Sequence, residues 1–154
     1  RELIQSTSIP YARYTIFVCL ANIELAVAKK DYDKALSLIE ELLDEVTPLT
    51  RVDVPDVLRW KGIALMCLGR NEEALHILTS ACSLAKESDS NSNLWSVLSS
   101  LADVNSKLGN DKEENTNIEE ARKVIYGIAE SLRELGLYDS FLCQPKIRKL
   151  MREN

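Results

Sequence analysis

Breakers of regular structure are scarce in this sequence. Its 154 residues include five glycines and four prolines, so most of the chain is free to run as long helices. Val and Ile do not alternate with polar residues as a half-buried strand requires. The single histidine, His76, sits between Leu75 and Ile77 on a helical pattern and is expected to face solvent. No G-x-S-x-G elbow and no Gly-rich phosphate loop occurs, which removes the usual frames of nucleophilic and phosphoryl-transfer chemistry. The cysteines Cys19, Cys67, Cys82 and Cys143 are far apart, with no C-x-x-C and no thiol near His76, so no zinc site is expected. Net charge is −5, without the basic stripe that nucleic-acid binding needs. The most apolar run, 14–23, is too short to span a bilayer, which takes about 20 residues. These absences point away from an enzyme, a metal or cofactor site, nucleic acid and membrane.

What is present is ordinary soluble-domain composition, 45% apolar and 28% charged. Cys67 and Cys82 lie among apolar residues and are expected as buried free thiols. Unpaired thiols suggest a reducing compartment, hence the cytoplasm. No signal-peptide pattern follows Arg1, and the chain reads as a soluble piece of something longer. The carboxylate pairs Glu40-Glu41, Glu72-Glu73, Glu113-Glu114 and Glu119-Glu120 fall in opening helical turns or on polar faces, where they offset the helix dipole. The basic segment Lys146-Ile147-Arg148-Lys149 with Arg152 reads as cations in the last turns of a helix.

Internal repetition organises the rest. Lys30-Asp31-Tyr32-Asp33-Lys34-Ala35-Leu36 aligns with Gly69-Arg70-Asn71-Glu72-Glu73-Ala74-Leu75 and with Gly109-Asn110-Asp111-Lys112-Glu113-Glu114-Asn115, at offsets of 39 and 40 residues. Each segment reads as a tight turn between two helices. Gly69 and Gly109, with Lys30 in the equivalent place, would end the preceding helix in the left-handed conformation. Asp31, Asn71 and Asp111 would cap the following one. Apolar residues recur at spacings of three and four after each turn: Ala35, Ile39 and Leu42; Ala74, Leu78, Ala81 and Ala85; Ala121, Ile125 and Ile128. Three helix pairs result, at about 11–46, 55–87 and 93–134. They are joined by the breaker-rich connections 47–55 and 88–93. A cap follows at 137–153, in which Pro145 opens a last helix with the apolar edge Ile147, Leu150 and Met151. One domain, 1–154, is expected, with the cap covering the open end of the stack.

At these positions the sequence resembles the tetratricopeptide repeat family. The second pair carries the pattern best, with Gly62, Gly69, Ala74 and Ala81, whose small size lets paired helices interlock. The first pair keeps Ala35 but has Ile23, Lys30 and Leu42 at the other positions. The third keeps Ala102, Gly109 and Ala121 but has Glu114 in place of alanine, which is expected to make that pair looser or more divergent. The long period is similar to a variant at the C-terminal end of large bacterial signalling proteins that join an NTPase to a regulator, kinase or cyclase. So is the ending: Glu120-Ala121-Arg122, Phe141-Leu142, Pro145, Ile147 and Leu150.

The resemblance implies an all-α, right-handed superhelical stack of three helix pairs with a C-terminal capping helix. Its concave groove would be lined by the first helix of each pair. By register the groove residues are Phe17, Leu20, Glu24 and Val27; Asp56, Arg59, Trp60, Ile63 and Met66; and Ser96, Ser99, Ser100, Asp103 and Lys107. Trp60 beside Arg59 has the composition of a binding hot spot, although Trp60 also fits a place between helices. The cations are too few and too dispersed for a carboxylate clamp. The expected function is a protein–protein interaction or intramolecular regulatory scaffold. Its partner would be a protein, a peptide or the upstream domains of the same chain. A small-effector sensor controlling a linked catalytic domain is the alternative, and a dimer formed through the stack ends is a third.

Overall fold

Among the described residues, four in the left-handed region mark the ends of helical segments. The computed structural model describes residues 16–45, 53–88 and 91–152. Within it Lys30, Gly69, Gly109 and Gly136 have φ of 61°, 78°, 74° and 69°. Each is followed by an amide that bonds back five residues: Asp31 to Ala26, Arg70 to Leu65, Asn110 to Asn105 and Leu137 to Leu132, at 2.9, 2.9, 2.9 and 3.1 Å. This closure satisfies carbonyls that the ending helix leaves open. The three aligned turns thus share one geometry, and Gly136 adds a fourth turn of the same kind.

The described residues are all-helical, without strands. Helix α1 covers 16–28, α2 Tyr32–Glu45, α3 Val54–Cys67, α4 Asn71–Glu87, α5 Asn91–Leu108, α6 Asp111–Ser131, α7 Tyr138–Leu142 and α8 Pro145–Met151. The expected start of the first helix at residue 11, the loop 47–52 and residues 89–90 lie outside the described residues. Two boundaries differ from the sequence reading. Helix α5 begins at Asn91, because Asn91 and Ser92 continue the helix instead of joining the polar loop. Helix α6 ends at Ser131, and 132–136 are a series of turns.

The capping residues are also corrected. Asp31 does precede α2, and its Oδ1 accepts the amide of Lys34 at 3.4 Å. In the other two pairs the N-cap is one residue earlier than expected, at Arg70 and Asn110, and neither side chain caps. Asn71 and Asp111 are instead the first helical residues, and Asn71 Oδ1 is buried without a hydrogen-bond partner. The turn fixes the register: 31, 70 and 110 all follow the left-handed residue, so the cap position aligns although its chemistry does not. Opening-turn acids compensate through the helix dipole, Glu72 and Glu73 in α4 and Asp111, Glu113 and Glu114 in α6.

The apolar periodicity becomes the core. Ala35, Ile39 and Leu42 of α2, Ala74, Leu78, Ala81, Cys82 and Ala85 of α4, and Ala121, Ile125 and Ala129 of α6 are buried. Consecutive helices pack side by side, and α3 also packs on α5. Val57 of α3 joins Ile16 and Ile23 of α1, so α1 and α3 are neighbours as well. Gly62 decides how closely α3 and α4 approach. A methyl group built there would stand 2.5 Å from Leu78 Cγ, a fully buried branch carbon with nowhere to retreat. Among the described residues, α5 and α6 form the most extensive helix pairing, and Ala102 and Ala121 are buried.

Cys82 is buried, and loss of water pushes its thiol pKa up. Cys67 is exposed, contrary to expectation, because α3 turns that position outward beside Tyr32, whose phenol it holds above its ordinary pKa through a hydrogen bond.

Lys30 bears the steric cost that glycine avoids at the equivalent turns. Lys30→Gly is expected to stabilise the protein by about 1 kcal/mol, roughly 2–4 °C in Tm, the left-handed penalty less the entropy that glycine adds to the unfolded chain. Thermal melts monitored by circular dichroism check this, and an unchanged or lowered Tm would contradict it.

Candidate partner-binding face

Helix α3 opens with Pro55 in its first turn, where the missing N–H breaks no hydrogen bond. The next turn sets Asp56 and Arg59 on one side. Arg59 Nε donates to Asp56 Oδ1 at 2.8 Å, and the pair is partly buried. The Arg59 guanidinium also lies 4.5 Å from the centre of the Trp60 ring, within cation–π range. Trp60 is half-buried and packs on the cluster of Ile16, Ile23, Ile39, Leu42 and Val57. One part of the indole thus packs between helices and another remains accessible. Ile63 is half-buried against the main core and Met66 is buried. The Asp56–Arg59–Trp60 group is thus fixed by its own ion pair and ring contact.

The other predicted residues distribute unevenly. Phe17 is 58% exposed on α1. Ser96 Oγ donates to the Asn93 carbonyl at 2.8 Å. Ser100 is 5% exposed and donates to the Ser96 carbonyl, so it belongs to the interior and not to the polar strip. Lys107 is exposed in the last turn of α5. Ser99 and Asp103 meet the C-terminal helix, and Glu24 lies 3.9 Å from Lys146 Nζ.

A cavity of about 220 Å³ lies between α5, α6 and α8, lined by Ser99, Ala102, Asp103, Glu114, Ile118, Arg122, Lys146, Lys149, Leu150 and Arg152. Arg122 crosses from α6 to close the carbonyl end of α8, with Nε to Leu150 O and Nη2 to Arg152 O, both at 2.9 Å. Ile147 is fully buried and Leu150 packs against the main core. These contacts, with Leu150 packed on the main core, hold α8 against the body of the protein. No sequence signal marks Arg122 for this role, because its partners are 28 and 30 residues away.

Asp103 is exposed on α5, yet the helices around it withdraw part of its water. Loss of water raises its pKa, Lys149 and Lys107 pull it back, and Glu114 adds to the rise. A second, open cleft of about 440 Å³ lies between α2 and α4 above α3, lined by Leu36, Glu40, Lys61, Leu65, Arg70, Glu72, Glu73, His76 and Ile77. His76 is an exposed rim residue there. Arg70 pairs with Glu73 at 2.6 Å and holds that carboxyl below its ordinary pKa. Among the described residues, no three His, Cys, Asp or Glu side chains converge on a metal-binding arrangement, and no helix is long and apolar enough to cross a membrane.

Compared with known proteins, the chain matches no family model, no curated protein and no solved structure.

The raised pKa of Asp103 gives a pH dependence with a definite sign. Its folded pKa lies above the unfolded one, so ionisation at neutral pH opposes folding, and that opposition disappears once pH falls below both values. Because Asp103 is solvent-exposed, the effect is small: Asp103→Asn is expected to melt slightly above the wild type at pH 7, with the difference vanishing as pH falls through the carboxylate range. A variant that melts lower at pH 7 would show that attraction to Lys149 outweighs the lost hydration.

Proposed function

We propose that this chain is a tetratricopeptide-like helical-repeat module that binds a protein or peptide. The same face alternatively receives upstream domains of its own polypeptide as a regulatory scaffold. The observation that carries the reading is the preorganised Asp56–Arg59–Trp60 group on α3, a cation stacked on a partly accessible indole. Arg and Trp in such a setting dominate binding energies at protein interfaces. Three turns of one geometry at offsets of 39 and 40 residues support the repeat architecture, and with it a right-handed superhelical stack with a concave groove on the odd-numbered helices. The long period and the ending favour the C-terminal part of a larger bacterial signalling or transcription-regulatory protein. Four free thiols favour the cytoplasm.

A small-effector sensor is the second reading, favoured by the cavity that the tail helix walls. At about 220 Å³ it lies below the roughly 300–1,000 Å³ of typical small-molecule sites. Self-association through the stack end has its own support in Phe17, Val18 and Leu25, large apolar residues exposed together on α1.

The test is capture of partners from bacterial extract by the immobilised chain, with Arg59→Ala as the comparison. Arg59→Ala is expected to weaken the captured complex by about 2 kcal/mol, roughly thirtyfold, with little change in Tm because Arg59 lies outside the apolar core. Trp60→Ala should weaken capture and also lower Tm, since part of its ring is core. Capture unaffected by either substitution would move the binding surface away from α3.

A further inference from the structure

Helix α8 is short, basic and one-sided. Seven residues do not hold a helix alone in water, so α8 is helical because the body of the protein receives it. Three features receive it, and each has a distinct chemistry. An apolar recess takes Ile147 completely and Leu150 partly, two side chains three residues apart. Acidic side chains from three helices, Glu24 of α1, Asp103 of α5 and Glu114 of α6, stand around Lys146 and Lys149. Arg122 binds the two carbonyls at the end of the helix, a contact with backbone that any helix of this length and direction would satisfy. The segment leading into α8 adds little burial: α7 buries no residue, and the 132–136 turns are closed by their own backbone hydrogen bonds and by Arg133 paired with Glu130 and stacked 4.0 Å from the Tyr138 ring.

We propose that the α5–α6 face beneath α8 is a docking site for a short basic amphipathic helix of a partner protein, with α8 as the intramolecular occupant that the partner displaces. The inference rests on the protein-binding reading above and specifies the partner's chemistry. The motif is the one α8 presents, Lys146-Ile147-Arg148-Lys149-Leu150: basic, apolar, any, basic, apolar, in a helix whose end Arg122 can reach. Because α8 competes from within the same chain, the partner's apparent affinity is its intrinsic affinity reduced by the fraction of molecules with the face open. A stronger helix of the same pattern, or one tethered nearby, overcomes that competition.

The experiment uses the full chain and a fluorescent peptide of residues 144–152. Ile147→Glu places a charge in the recess and releases α8 while leaving α1–α6 unaltered. Peptide anisotropy is expected to show binding to Ile147→Glu at least tenfold tighter than to the wild type. A peptide with its own isoleucine and leucine replaced by aspartate should not bind. Adding Arg122→Ala to Ile147→Glu should reduce peptide affinity about tenfold. If Ile147→Glu does not fold by circular dichroism, the wild-type chain is titrated with excess peptide and amide exchange is read in residues 145–151, which should accelerate as the peptide displaces them. Absence of binding to folded Ile147→Glu overturns the proposal. So does equal binding to both proteins, which would put the peptide elsewhere, and so does a dimer that trades α8 between copies, which would assign the face to a second copy. Failure of the peptide with partner capture by the wild-type chain intact removes this inference alone; loss of capture as well removes the scaffold reading.

Discussion

The contact of Gly62 with Leu78 sets the distance between α3 and α4, and the neighbouring packing follows from it. With no side chain at 62, Leu78 seats directly against the α3 backbone. The same economy of volume recurs in Ala26, Ala35 and Ala64, which pack as one group among α1, α2 and α3. It recurs again in Ala74, Ala81 and Ala85 along α4. Small residues bring the axes close, so larger ones such as Ile39, Leu98 and Ile125 can interdigitate without voids. Surface ion pairs, Lys61 with Glu40 at 3.7 Å and Lys86 with Glu120 at 2.6 Å, join neighbouring helices but contribute little at such exposure. Close apolar packing, not charge, holds the helices in register and gives the Asp56–Arg59–Trp60 group a rigid base.

Features written by local chemistry were legible in the sequence. Scarcity of breakers, apolar spacing and the turn alignment gave the helices and the buried face of α2, α4 and α6, because helical period and left-handed turns are local properties. Even Lys30, an unfavoured residue for the left-handed region, was placed by alignment with Gly69 and Gly109. Caps were misplaced by one residue in two pairs, since Asn71 and Asp111 have capping side chains but the turn puts the cap on Arg70 and Asn110. Ser100 was misassigned to the surface because serine spacing alone cannot tell an outward hydroxyl from one bonded back to its own helix. Asn105 went unnoticed for a similar reason: it is 3% exposed, donating to the Leu101 carbonyl and accepting from Asn110, a buried amide tied into the turn.

The tail is where sequence reasoning stopped short. Apolar residues at 147, 150 and 151 marked a helix with a side to bury, and the cations marked a basic end. What they face depends on long-range geometry: Arg122 against the carbonyls of Leu150 and Arg152, and Lys146 beside Glu24 at the far end of the chain. A helix that touches both the last pair and the first does more than shield the end of a stack. Its seven residues do not hold a helix alone, so its order rests on a balance between docking and local undocking.

Hydrogen exchange on the intact chain tests this balance most directly. The account predicts that amides of α3 to α6 exchange together and slowly, through opening of the packed unit as a whole. Amides of α8 should exchange much faster through local undocking. Protection in α8 equal to that in α4 would contradict it, because a tail that opens only when the whole protein unfolds is a fixed part of the core.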